Sequence, residues 1–302
     1  MSLSAAQALD PTPIVADRMR QAPLASGRIL YVAGGQIWQW SGGASRPITA
    51  TGTRWEGVSW SPDGTQIASS EVGDNHSDIF ILDAKGARVR QLTRNWSLVS
   101  VQDSSWGRRP SWAPDGERLL YVADVGRGSD MSLWSVASNG TTTRKLYALA
   151  IGSGGLDSPA WSPDGKRIAF TSYPAGHYQP PQIFVFTPAT DKIVQLTEHK
   201  DGAFDPSWSP DGTKLAYTAR MDGNTRILVT KADGGVQTRL TDGHFDRSPV
   251  WSPDGTEIAY LSVVPGAFDL WVARYANGTV SEPKRLTSGV LIDAPSGLAW
   301  TN

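Results

Sequence analysis

The sequence predicts an all-β chain: a six-bladed β-propeller of four-stranded antiparallel blades, its ring closed by the C-terminal strand pairing into the N-terminal blade. Three observations lead there. A Trp-x-Pro-Asp-Gly phrase occurs five times, at Trp60, Trp112, Trp161, Trp208 and Trp251, at intervals of 43 to 52 residues. The same short alternating runs fill each interval. Incomplete copies at the two ends complement one another. A period of this length filled with short strands is the mark of a propeller or array.

The unit from Asp205 shows the grammar. Asp205-Pro206-Ser207-Trp208 is a short strand entering a turn. In Ser209-Pro210-Asp211-Gly212 the proline pre-sets the first turn dihedral, glycine accepts a positive φ, and the Asp side chain can brace the turn. Lys214 to Thr218 then alternates with period two, as a half-buried strand does. After a polar loop come Thr225 to Thr230, a second turn at Ala232-Asp233-Gly234-Gly235, and a last strand, Val236 to Leu240. Four strands joined by tight turns make a meander of blade size. The third strand recurs as Asp78-Ile79-Phe80-Ile81, Ser132-Leu133-Trp134-Ser135, Gln182-Ile183-Phe184-Val185 and Asp269-Leu270-Trp271-Val272. The blade ends in Leu-Thr at Leu92, Leu196, Leu240 and Leu286. The repeated Trp, Pro, Asp and Gly residues therefore read as scaffold, the Trp side chains packing between blades and the turns sitting on one rim.

At the N-terminal end Arg28 to Val32, Gln36 to Trp40 and Arg46 to Thr49 read as second, third and fourth strands without a first. At the C-terminal end Ser296 to Trp300 reads as a first strand without a blade. Joined, they make the sixth blade and hide two sheet edges. The expected organisation is a propeller over residues 27–302 and a mostly irregular arm over residues 1–26.

The phrase with its Asp-Ile-Trp-Val and Leu-Thr companions resembles the WD-like, PD-type repeat of TolB-type six-bladed propellers, over about residues 27–302. The resemblance implies the fold and a bacterial envelope setting, periplasmic or extracellular, where such propellers engage lipoprotein partners. The α/β domain that precedes the TolB propeller is expected to be missing, because only about 26 residues stand before the first strand. The same repeat also accompanies peptidases, so fold alone does not define function.

Bulk properties narrow the function classes. The 28 basic and 29 acidic residues balance, without the surplus of a nucleic-acid binder. With no cysteine there is no disulfide, thiolate metal site or Cys nucleophile. No apolar run approaches the roughly 20 residues of a membrane span, and Met1 to Arg28 lacks the apolar core of a signal peptide. The protein is then cytoplasmic, or exported with its leader absent from this chain. A monomer is expected.

Functional side chains are sought where the repeat breaks, on the loops of the face opposite the Pro-Asp-Gly turns. The longest loop, Arg94 to Arg109, carries the off-pattern Trp96 and Trp106 and the pair Arg108-Arg109. Tyr173 to Pro181 carries His177 and Tyr178. Such aromatics suit a sugar or peptide surface or plug their own loops. An acidic residue stands before several first strands, at Asp157, Asp205, Asp246 and Asp293, with Glu56 comparable. A carboxylate ring at the channel mouth would grip a basic peptide, hold Ca²⁺, or brace its own loops, and Arg54, Arg108, Arg109 and Arg247 would neutralise it. His199 and His244 follow Leu-Thr, and His76 and His177 fall on the same face. Without fixed ligand spacing they are expected as loop residues rather than a metal site. No hydrolase nucleophile elbow, P-loop or dinucleotide fingerprint is present. The expectation is a non-enzymatic module without a cofactor, presenting a channel-mouth pocket to a peptide or protein segment. The alternative is a glycan or peptide hydrolase or lyase with its site at the same mouth.

Overall fold

The structure is a computed structural model and describes residues 24–125, 130–149, 154–173, 179–276 and 278–302. Six antiparallel sheets form the ring. Blades one to four have first strands Trp55–Trp60, Gly107–Trp112, Leu156–Trp161 and Ala203–Trp208, each followed in order by three further strands. Blade five runs from Asp246–Trp251 through Glu257–Val264 and Ala267–Ala276, with Thr279–Val280 and Lys284–Arg285 both pairing to the third strand. Blade six joins the chain ends: Ala299–Thr301 pairs antiparallel with Arg28–Ala33, Trp300 opposite Ile29. That strand is shorter than the Ser296 to Trp300 read from the sequence. A single 3-10 turn, Ala294–Ser296, and Gly297 at φ 72° lead into it.

The phrase does what its composition suggests. Trp60, Trp112, Trp208, Trp251 and Trp300 are buried, and Trp161 is half-buried. Trp112 packs with Leu119 and Tyr121 of its own blade against Ile79 and Ile81 of the blade before. Trp251 does the same with Ile258 and Tyr260 against Ile227 and Val229. Such clusters sit at every blade junction, so the apolar core is a ring of wedges rather than one central mass.

The turn bracing is a side-chain clasp. The Ser61, Ser162, Ser209 and Ser252 hydroxyls donate to the carboxylates of Asp63, Asp164, Asp211 and Asp254 at 2.5 to 2.6 Å. The N–H two residues beyond each Asp donates to the same oxygen at 3.0 to 3.1 Å. In blade two Ala113 replaces the serine, and Asp115 turns to Arg118 at 2.8 Å instead. The Leu-Thr threonine is a second clasp: Thr93, Thr197, Thr241 and Thr287 accept the N–H of Ile79, Ile183, Ile227 and Leu270 at 2.9 to 3.0 Å, tying fourth strand to third.

One irregularity positions the site. Three residues before the phrase Trp, every inner strand has a residue at positive φ: Gly57, Arg109, Ser158, Asp205, Ser248 and Gly297, at 48° to 72°. In blades one to five the pairing register slips at that point. This is a β-bulge, which bends the strand and re-aims its side chains. In blades two to five the next residue is a proline (Pro110, Pro159, Pro206, Pro249), which has no N–H to leave unpaired in the distorted ladder.

Candidate functional site

The six inner strands surround a central channel. Its inner section, about 310 Å³, is lined by the bulge residues and those leading to the Trp positions. A recess of about 370 Å³ opens from it on the side away from the Pro-Asp-Gly turns, and both sections share Gly57, Arg109 and Ser296. The recess is walled by Glu56, Arg108, Arg109, Asp157, Tyr173 and Asp293, with Val122, Met131 and Leu156 as an apolar side.

Asp205 is the hub at the channel end of this recess. Its bulge conformation places the carboxylate where it accepts from Ser158 Oγ at 3.0 Å, Ser248 Oγ at 3.3 Å and Arg247 Nη2 at 3.4 Å. The side chain is 10% exposed, so these interactions are weakly screened. Arg109, at the same bulge position two blades away, pairs through Nε with Asp157 Oδ1 at 3.2 Å. Burial alone would lower the Arg109 pKa, but the charges of Asp157, Asp205 and Glu56 outweigh it and raise it. Arg108 Nε and Arg54 Nη2 each stand 3.9 Å from Glu56. The Tyr173 phenol is pushed up, by burial first and then by Asp157 and Asp205. The site is a mosaic of both signs, largely paired internally.

The expected ring of equivalent carboxylates does not form. Counted back from the phrase Trp, Glu56 and Asp157 stand four residues before it, Asp205 three, Asp246 five and Asp293 seven. Side chains alternate along a strand and the bulge adds a further turn, so these registers face different ways. Glu56, Asp157 and Asp293 reach the recess, while Asp205 reaches the channel. Asp293 accepts from Ser296 Oγ at 3.0 Å within its own turn. Asp246 lies outside the channel, at a groove between blades four and five. Arg108, Arg109, Asp157, Asp246 and Arg247, read as loop residues, belong to first strands.

The backbone N–H of Trp106 donates to Asp124 Oδ1 at 2.6 Å, and Arg108 stacks on the Trp106 ring at 5.0 Å, beside the recess. Trp96 is 56% exposed on the outer part of its loop and lines neither section of the channel. His199 is held in its blade by Tyr217 OH at 3.0 Å, and burial lowers its pKa. His244 is exposed, and its carbonyl accepts from the Thr225 N–H. His177 and Tyr178 lie outside the described residues. Among the described residues no group of three or more His, Cys, Asp or Glu is placed to hold a metal ion. Sequence reasoning missed Ser158 and Ser248, the hydroxyls on Asp205. Their shared place three residues before the Trp was the available signal.

The six four-stranded blades around this channel make the fold a six-bladed β-propeller, and part of the chain is similar to the TolB propeller. Residues 148–289 match the family described as the TolB beta propeller domain. Among solved structures, TolB from Acinetobacter baumannii superposes with a TM-score of 0.73 at 20% identity, over 95% of this chain and 69% of that one. An oligogalacturonate lyase from Vibrio parahaemolyticus superposes with a TM-score of 0.57 at 13% identity, over 86% of this chain and 74% of that one. These likenesses concern the fold. A Bacillus subtilis protein described as the uncharacterized peptidase YuxL is 31% identical over 104 residues, 33% of this chain. The match spans only 14% of that relative's length.

Proposed function

We propose that the protein is a non-enzymatic binding module whose channel mouth receives a peptide or protein segment. The observation that carries this reading is the recess walled by Arg109 and Asp157, with Asp205 at the channel end beyond it. It offers both charges and hydroxyls beside an apolar wall of Val122, Met131 and Leu156. A polypeptide presents the complementary mixture of amide groups, charged side chains and apolar side chains, and burying its apolar part supplies the non-directional share of affinity. The carboxylates nearest the channel are engaged by Arg109 and Arg247, which suits recognition better than proton transfer. The likeness to TolB supports an envelope setting, with a lipoprotein as the class of partner. The working unit in this reading is the propeller of residues 27–302, acting as a monomer without a cofactor.

A photo-crosslinking residue at Tyr173, on the recess, tests this in a native envelope extract. A protein adduct that disappears in Arg109→Ala, and is not formed from the same residue at Val89 on the outside of blade one, supports it. Equal labelling from both positions, or turnover of an oligosaccharide panel that Arg109→Ala abolishes, refutes it.

A further inference from the structure

The groove between blades four and five has chemistry of its own. It is lined by Leu240 to Gly243 at the end of blade four and by Tyr260, Trp271 and Glu282 of blade five, and Asp246 lies at its base. Asp246 is 1% exposed, yet neither carboxylate oxygen has a hydrogen-bond partner among the described residues. Both oxygens lie against Gly243, so close that a Cβ there would overlap them. A buried carboxylate without a partner is costly by itself. The phenol of Tyr260 registers it, being pushed up by burial and then by Asp246.

The junction of blades one and two shows what is missing. There the same groove is lined by Thr93, Arg94, Asn95, Tyr121 and Trp134. Counted from Leu-Thr, Asn95 stands where Gly243 stands. Counted from the phrase Trp, Gly107 stands where Asp246 stands. The side chain has changed sides: a Cβ on Gly107 would collide with the Asn95 amide, as one on Gly243 would with Asp246. In the first groove Asn95 Nδ2 is a donor, satisfied by the Ser77 carbonyl at 2.7 Å. In the second the group is acceptor-only as a carboxylate, and no donor reaches it among the described residues. The indoles differ in the same sense. Trp134 carries the ammonium of Lys145, its cross-strand neighbour, 5.0 Å from the ring centre. Opposite Trp271 stands Arg285, which turns to Asp269 instead. Asp242 and Glu282 add negative charge at the rim, of which Arg239 offsets one at 3.1 Å.

We propose that this groove is a binding site for an organic cation, an ammonium or guanidinium group that donates to Asp246 and rests on Trp271. One carboxylate, an aromatic face and hydroxyls match such a group. A divalent metal prefers several oxygen ligands, commonly carboxylates. The site is separate from the channel mouth and does not rest on its proposed function.

Agmatine, which carries both cationic groups, is the probe. It is titrated into the ¹⁵N-labelled full chain while the indole Nε1–H resonance of Trp271, assigned with Trp271→Phe, is followed. A saturable shift is expected. Loss of one charge-assisted hydrogen bond corresponds to a weakening of about 10- to 100-fold in Asp246→Asn. The rim variant Asp242→Asn/Glu282→Gln, exposed and remote from the core, is expected to bind a few-fold more weakly with a shallower salt dependence. No saturation by about 10 mM agmatine, tenfold weaker than a millimolar site, overturns the proposal. So does equal affinity in Asp246→Asn, or a shift given by MgCl₂ or CaCl₂ but not by agmatine. Arg226 also has an unpartnered Nε and makes no ion pair with Asp246. If Asp246→Asn and Arg226→Met prove strongly coupled in stability while agmatine fails to bind, the carboxylate serves Arg226 and the proposal fails.

Discussion

Replacing Trp300 by alanine tests how the ring is closed. Trp300 is 8% exposed and packs with Ile29, Tyr31 and residues of blade five, and its indole N–H donates to the Ser26 carbonyl at 2.7 Å. It stands in the three-residue strand Ala299–Thr301 that pairs the chain ends within blade six. Truncating a buried Trp costs about 3–5 kcal/mol, and the lost hydrogen bond about 1 more. A chain of 302 residues unfolds with an entropy of about 0.6 kcal/mol/K, so the core term alone lowers Tm by about 5–8 °C. Trp161→Ala is the internal control, since that side chain is half-buried and its indole nitrogen has no partner. The assay is thermal and urea unfolding followed by far-UV circular dichroism. The reasoning is refuted if Trp161→Ala costs as much as Trp300→Ala, or if Trp300→Ala shifts the midpoint by less than the error of the scan. Either result would mean that closure through Ala299–Thr301 does not limit the stability of the ring.

Three further expectations follow from the clasps. Ala113→Ser restores the missing turn clasp of blade two and is expected to stabilise by about 0.5–1.5 kcal/mol, read as a higher urea midpoint. The equivalent serines are buried without difficulty, so a lowered midpoint counts against the clasp. The turn carboxylates are held below their usual range: Asp63 chiefly by Ser61, and Asp211 by its serine, threonine and backbone bonds, which overcome burial and bring it to about 2. Their folded pKa values lie below the unfolded ones, so they stabilise above about pH 4 and lose that contribution as pH falls toward 2. Wild type should lose Tm faster over this window than Ser209→Ala, and parallel curves would argue against it. Thr197→Val leaves the buried Ile183 N–H and the Gln182 side chain short of a partner, for an expected loss of about 1–3 kcal/mol in urea unfolding.

The fold was legible because a propeller repeats its constraints. The Pro-Asp-Gly turn is written in five blades, and a threonine that clasps the third strand ends five of the six, blade two being the exception. Where one element changes, as at Ala113, the structure shows a substitute contact in Arg118. The site was less legible for the opposite reason. Asp157, Asp205 and Asp246 looked equivalent because each precedes a strand, yet they occupy three registers around a bulge that no single residue type marks. Glycine marks it in blades one and six. Arg109, Ser158, Asp205 and Ser248 adopt the same positive φ without glycine, so composition did not disclose it. Asp246 was placed with the channel by proximity in sequence, and one residue of register carried it to the other side of the sheet.

The six positive-φ residues give the channel an editable inner surface. Each blade contributes one such position: two glycines, one cation, one anion and two hydroxyls. Around them the tryptophans, prolines and clasps keep the backbone fixed. Exchanging these residues among Gly, Asn, Asp and Ser alters the charge and width of the bore while leaving every blade's core untouched. β-Branched residues are excluded by their cost at positive φ. A combinatorial library of only six codons would therefore vary the bore while the recess residues beyond it, Glu56, Asp157, Tyr173 and Asp293, stay as they are.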